Sequence, residues 1–347
     1  MESLHAQRKN EHLIIAEKTY QQTHQHHPFD EIQLIPRALP EIWYPEVNPA
    51  PDQLDFNFTW PFYIEAMTGG SQRSMGINNR LATVAHETGL AMATGSMSII
   101  FNDEGAKPSF EIIREANPDG FIMANLGATA TPLQAKQAVD LIQANALEIH
   151  VNVAQELAMR PTEGDRDFRW LDNLAAIKEA VNVPVIVKEV GFGMQVADLD
   201  LLHSIGINYV NISGRGGTNF ATIEAERNRD RNYSNAFLNW GLTTPQALIE
   251  AKLRQAKSQH IIASGGVNSA ADVVKAGSLG ADAVGVAGHF LHTLFEHDQQ
   301  TLQVEITQWQ QELLDLMTLL GVKKFSDLQH AAAIYHGELK DYWEQRQ

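Results

Sequence analysis

At 347 residues and 44% hydrophobic composition, the chain has the length and core material for one barrel of eight β/α units, about 250 residues, with extensions at both ends. A net charge of −16 argues against nucleic acid or an anionic membrane as partner, and zero cysteines exclude a disulfide framework, a zinc–thiolate site and a thiol nucleophile. No apolar run reaches the roughly 18 residues that span a bilayer, and MESLHAQRKNEH lacks the apolar centre of a signal peptide, so a soluble cytoplasmic protein is expected.

Residues 1 to about 22 read as a helix, with Arg8-Lys9-Asn10-Glu11-His12 near its front. By composition alone that pentapeptide is a solvated helix end. His24, His26 and His27 crowd a loop before Pro28, but without the i,i+4 spacing of helical metal ligands an ordinary exposed loop is the expectation. The proline-rich, aperiodic stretch up to residue 60 reads as an irregular wrapping segment.

From Pro61 short apolar runs alternate with amphipathic segments such as Ile77–Glu87 and Leu171–Val181. The predicted strands are Phe62–Ala66, Leu90–Thr94, Phe121–Asn125, Leu147–Asn152, Pro184–Lys188, Asn208–Ile212, His260–Ala263 and Asp282–Val286. Eight such units predict an α/β protein, a closed (β/α)8 TIM barrel. A doubly wound open sheet would gather its ligand at one switch point, whereas nearly every strand here ends in polar or glycine residues. The expected division is an N-terminal helix and wrapping segment over 1–60, a barrel over 61–297 and C-terminal helices over 298–347. The long stretch Gly214–Leu242 is expected to act as a lid or binding loop. In the tail, Trp309, Leu313, Leu314 and Met317 form an apolar stripe suited to core packing, with part of it available to a subunit interface.

In a barrel the strand ends converge on one face, where active sites are built. They are Met67-Thr68-Gly69-Gly70, Gly95-Ser96-Met97-Ser98, Asn125-Leu126-Gly127, His150-Val151-Asn152, Lys188-Glu189, Ser213–Thr218 and two late glycine turns. On the fourth strand Leu147, Ile149 and Val151 share one parity and Glu148, His150 and Asn152 the other, so the polar set should point into the barrel. The late turns, Ser264-Gly265-Gly266 and Ala287-Gly288, follow the last two strands, where barrels commonly hold a phosphate on backbone N–H groups. Flavin mononucleotide (FMN) is a natural source of that phosphate.

In order and spacing, RKNEH, AMTGG, GSMS, NLGA, HVNVAQE, VIVKEVGFG, SGRGGTNF, ASGGV and GVAG resemble the type 2 isopentenyl-diphosphate isomerases along nearly the whole chain. The resemblance implies that Met67, Thr68, Gly69, Ser96, Asn125, Lys188, Ser213 and Thr218 contact FMN, with Gly265, Gly266, Ala287 and Gly288 around its phosphate. It implies further that Arg8, Lys9 and His12 bind the substrate diphosphate and that Gln155, His150 and Asn152 serve catalysis beside it. Glu156 would ligate Mg2+, NADPH (or NADH) would reduce the flavin, and the chain would assemble into homotetramers or octamers.

The chemistry agrees with these residues. Moving a double bond by one carbon needs a proton delivered at one carbon and removed at another, in a site that excludes water. The strand ends offer few obvious strong acids, whereas a reduced flavin can itself donate and accept the proton, with Lys188 stabilising its anion. A single carboxylate plus substrate phosphates is a usual way to hold Mg2+. The same barrel also permits an FMN-dependent 2-hydroxy-acid oxidase, but Ser213-Gly214-Arg215-Gly216 lacks the histidine such enzymes carry. An inosinate-dehydrogenase-like enzyme needs a cysteine, and a flavin-binding scaffold without catalysis would need neither Gln155 and Glu156 nor the Arg8-Lys9 pair.

Overall fold

Eight short runs rich in Val, Ile, Ala and Met pair in parallel and close on themselves. In the computed structural model, which describes residues 4–23, 27–228, 232–254 and 257–347, the barrel strands are β1 (Phe62–Ile64), β2 (Met92–Ala93), β3 (Ile122–Gly127), β4 (Ala146–Val151), β5 (Val185–Glu189), β6 (Tyr209–Asn211), β7 (His260–Ser264) and β8 (Ala283–Val286). The ring closes where Phe62, Tyr63 and Ile64 pair with Val284, Gly285 and Val286. This is the (β/α)8 barrel expected from the sequence, and every predicted strand overlaps an observed one.

Side-chain alternation sorts the strands into two cores. Residues such as Phe62, Ile64, Leu147, Ile149 and Val187 face the surrounding helices and are buried there. Tyr63, Ala93, Met123, Ala146, Ile186, Ile262 and Ala283 fill the lower interior together with Leu54, Phe56 and Phe58. Those last three belong to the predicted wrapping segment. They plug the N-terminal mouth of the barrel, Phe56 stacking on Tyr209 at 4.7 Å, so ligand access is left to the opposite face.

Two features depart from the sequence reading. The tail is more than two helices: after the helix Gln299–Leu319, the strand Ala333–Tyr335 pairs antiparallel with Ile32–Leu34, and the helix Gly337–Arg346 follows. Three-residue strands are too short to display an alternation, and the pairing joins opposite ends of the chain. The Gly214–Leu242 stretch is no plain loop either, since it contains the helices Phe220–Arg227 and Asn235–Leu238. In the tail helix Trp309, Leu313 and Met317 are buried and Leu314 packs partly against the core, as an ordinary core stripe requires. His24 and His26 lie outside the described residues, and His27 sits 3.4 Å from Asp272. Among the described residues no helix is long and apolar enough to cross a membrane.

Gly285 leaves room inside the barrel for the side chains of Glu65 and Tyr63. A Cβ there would collide with the Glu65 carboxylate and lie 3.1 Å from Tyr63 Cζ, whereas one on Gly76, inside the helix Gln72–Thr88, would meet nothing within 4 Å. Gly285→Ala should therefore lose roughly 1–3 kcal/mol, while Gly76→Ala should gain about 0.5–1 kcal/mol. Urea-unfolding midpoints of the two variants test the opposite signs.

Candidate active site

At the C-terminal ends of the strands two cavities adjoin, sharing Ala66, Met67, Lys188, Val190, Thr218 and Phe220 as common wall. The first also takes Arg8, Lys9 and His12 from the N-terminal helix, Thr68 and Gly69 after β1, Ser96 after β2, Asn125 on β3, His150 on β4, and Gln155 and Glu156 from the helix Val153–Ala158. The second is bounded by Ser213, Gly265, Gly266, Ala287 and Gly288, with Tyr20 above. Of the residues to which the family resemblance gives a site role, Asn152 alone lines neither. Its side chain caps the helix Val153–Ala158, accepting from the Gln155 N–H at 2.9 Å and donating to the Val190 carbonyl at 3.1 Å. Asn152 thus aims Gln155 and Glu156 into the cavity without entering it.

The glycine turns bring two strand-end loops into backbone contact. Gly265 and Gly266 have φ of 96° and 74°, and a Cβ on either would collide with the backbone of Gly214 or Gly216. They are glycine so that two strand-end loops can press together into one floor. Facing that floor, the helix Gly288–Glu296 begins at Ala287, which supplies no side-chain cap, whereas Thr131, Thr243, Ser269 and Asp298 cap their helices. An uncapped helix N-terminus above a glycine floor fits a phosphate monoester such as that of FMN.

Below the cavities lies a polar layer inside the barrel. Lys188 Nζ pairs with Glu65 Oε2 at 2.9 Å, both side chains being at most 5% exposed. Tyr63 OH donates to Glu65 at 2.8 Å, and Asn211 Nδ2 donates to the same carboxylate at 2.7 Å. Asn125 bridges Glu148 and His150, at 2.9 Å to each. Burial, and then the charge of Glu65, pushes the Glu148 carboxyl well above the usual range. Burial, followed by the cations Lys9, Lys188 and Arg8, drives His150 down to about 3, so its ring is neutral. The parity predicted for β4 thus holds for Glu148 and His150, and parity also sets Glu65 inside the barrel.

Around the first cavity the charges are unevenly paired. Lys9 Nζ contacts the Ser96 carbonyl at 3.4 Å and Arg8 contacts Met159 Sδ at 3.8 Å. Among the described residues neither lies within ion-pair distance of a carboxylate, and burial followed by the Arg8 charge lowers Lys9 to about 8. Glu156 Oε2 accepts the Asp165 N–H at 2.6 Å, and Arg166 bonds the Glu156 backbone carbonyl, not its carboxylate. Glu224 is buried, 2.8 Å from His12 and 3.3 Å from Gln155 Nε2. Burial raises its pKa, but His12, Arg8 and Arg227 outweigh that and bring it to about 2. Sequence reasoning missed Tyr63, Glu65, Asn211 and Glu224. Parity on β1 and β6 could have found the first three; Glu224 carries no signal inside its helix.

These features define an FMN-binding barrel enzyme. A family model described as FMN-dependent dehydrogenase matches residues 113–335. Crystal structures of mandelate oxidase share the fold, one with benzoyl-formic acid superposing at TM-score 0.63 with 18% identity over 94% of this chain and 90% of that one. Full-length relatives are more specific. An isopentenyl-diphosphate delta-isomerase of Limosilactobacillus reuteri (strain JCM 1112) is 51% identical over 100% of this chain and 99% of its own. That of Latilactobacillus sakei (strain 23K) is 43% identical, covering 99% and 97%, and that of Streptomyces sp. (strain CL190) 42%, covering 97% and 92%. The chain belongs to the isopentenyl-diphosphate delta-isomerase family.

Lys188 and Glu65 form a dry pair, so removing one partner strands the other. Lys188→Met should cost about 3–5 kcal/mol of unfolding free energy, and the Lys188→Met, Glu65→Gln double variant should recover a large part of it. Chemical denaturation of both single variants and the double variant reads the coupling; additive losses would show that the two side chains act independently.

Proposed function

We propose that this flavoenzyme interconverts isopentenyl and dimethylallyl diphosphate in the first cavity, with the FMN phosphate on the glycine floor of the second. The observation that carries the reading is a pair of cations, Arg8 and Lys9, lining the first cavity with no carboxylate within ion-pair distance among the described residues. Such a pair calls for an anionic ligand. Arg8 and Lys9 hold the diphosphate from the N-terminal helix, with His12 beside them and His150 opposite. Glu156 would hold Mg2+, a hard cation suited to one protein carboxylate beside substrate phosphates.

Met67, Thr68, Gly69, Ser96, Asn125, Lys188, Ser213 and Thr218 would wall FMN, which once reduced by NADPH or NADH would supply a proton donor and acceptor for the alkene. Lys188 brings a cation to that wall, tempered by Glu65. Gln155, held by Glu224, orients the hydrocarbon end of the substrate, and Asn152 fixes Gln155 by capping its helix. Leu13, Ala16 and Phe220 close the cavity and exclude water from the reacting carbons. The working protein is assigned to the cytoplasm as a homotetramer or octamer.

Purified protein should be yellow and should convert isopentenyl diphosphate only after the flavin is reduced. Oxygen uptake with lactate, and no isomerisation, would instead identify an oxidase.

Arg8→Ala and Lys9→Ala should each raise KM about tenfold or more while FMN content stays normal, since a charge-assisted phosphate contact contributes on the order of 1.5–3 kcal/mol. Lys9 is cationic below its lowered pKa of about 8 and neutral above it. In wild type KM should therefore climb as pH rises through that value, and part of the climb should vanish in Lys9→Ala.

Glu156→Gln keeps the volume but removes the charge that Mg2+ requires. Its Mg2+ requirement should rise steeply with flavin absorbance and melting temperature nearly unchanged. An unaltered metal titration with a lower melting temperature would make Glu156 a structural residue.

A further inference from the structure

A neutral imidazole carries one ring proton, and to bind a phosphate oxygen it must carry that proton on the nitrogen facing the ligand. His150 is neutral, and its Nδ1 lies 2.9 Å from Asn125 Oδ1. Nδ2 of the same Asn125 amide donates to Glu148 Oε2 at 2.9 Å, the amide orientation that matches an ionised Glu148. Glu148 is fully buried. It faces Tyr63 and Glu65 from β1, Lys188 from β5 and Asn125 from β3.

This three-residue chain has two complete proton arrangements, because a primary amide fills the same space in either orientation. With Glu148 ionised, the Asn125 NH2 donates to the carboxylate and its carbonyl accepts from His150 Nδ1–H, leaving Nε2 bare. With Glu148 protonated, the acid donates to the Asn125 carbonyl. The amide NH2 then donates to His150 Nδ1, and the ring proton sits on Nε2. Passing from the first arrangement to the second takes up one proton at Glu148 and moves the ring proton across His150.

We propose that Glu148 is a positioning residue that selects the tautomer of His150: as the neutral acid it turns the Asn125 amide so that His150 offers Nε2–H to a diphosphate oxygen. This rests on the reading of His150 as a diphosphate contact. Electrostatics favour the neutral acid. Lys188 is already engaged by Glu65 at 2.9 Å, so a second buried carboxylate would have no cation of its own. Burial and the Glu65 charge accordingly hold the Glu148 carboxyl protonated into the neutral range. Above its pKa the carboxylate forms, Nε2 loses its proton and the phosphate contact weakens.

The test is the dissociation constant of inorganic diphosphate for the FMN-loaded protein, measured by calorimetry in wild type, Glu148→Gln and His150→Phe. Glutamine keeps the size of the acid and cannot lose its donor. Lys9 and the ligand ionise in the same range but are common to wild type and Glu148→Gln, so they cancel in the ratio. The two should bind equally near about pH 6, and wild type should be weaker by about tenfold near about pH 9.5. Parallel profiles, with His150→Phe weakening binding, would overturn the role of Glu148 alone. A His150→Phe variant that binds as wild type at every pH would overturn the contact itself, and the inference with it. Should Glu148→Gln fail to fold, nitrogen-15 spectra of histidine-labelled wild type decide. A shift of His150 from the Nε2–H to the Nδ1–H form with rising pH supports the switch, and a single tautomer throughout overturns it.

Discussion

The ion pair between Lys188 and Glu65 is the constraint around which the upper barrel is arranged. Two ions at 2.9 Å with almost no exposure survive only if their remaining hydrogen-bonding capacity is met. Tyr63 and Asn211 meet it on the carboxylate side, and Gly285 leaves the space that a larger residue would take. Below the pair is an apolar plug, and above it are the cavities. The layer therefore separates a packed core from a reactive face, and its one cation is placed where the wall needs positive charge.

The N-terminal helix completes the site from outside. Tyr20 OH lies 2.9 Å from His289 Nδ1, and His289 in turn bonds Glu305. Glu17 pairs with His292, whose ring stacks on Tyr20 at 4.1 Å. Both histidines belong to the helix that starts at the glycine floor, so the segment carrying Arg8 and Lys9 is anchored to the cradle. At its other end His12 meets Glu224 from the insertion. One helix thus joins the glycine floor, the cation pair and the insertion, whose short helices stand where a lid or binding loop was expected.

The sequence disclosed the barrel well because each strand is a short apolar run closed by polar or glycine residues, a local signal. Strand parity exposed Glu148 and His150. Elsewhere the signal was non-local or ambiguous. Ile32–Leu34 and Ala333–Tyr335 gain their pairing only through distant contact. Glu65 is one acid in an apolar strand, and only the parity it shares with Tyr63 marks it as inward. Arg8 and Lys9 look like a solvated helix end until the helix is seen lying across the barrel mouth, and for them the family resemblance supplied what spacing could not. The family resemblance gave Asn152 a site role, and the structure shows its side chain capping the helix that begins at Val153.

The most direct test is a crystal structure with reduced FMN, Mg2+ and a non-reacting substrate analogue. The arrangement described here predicts the flavin phosphate at Gly265, Gly266, Ala287 and Gly288, and the diphosphate between Arg8, Lys9 and His150 with the metal on Glu156. A larger apolar groove, walled by Trp170, Leu201, Phe237 and Trp240, runs along the barrel flank. A diphosphate bound in that groove, or a flavin phosphate away from the glycine floor, would contradict the assignment of the active face.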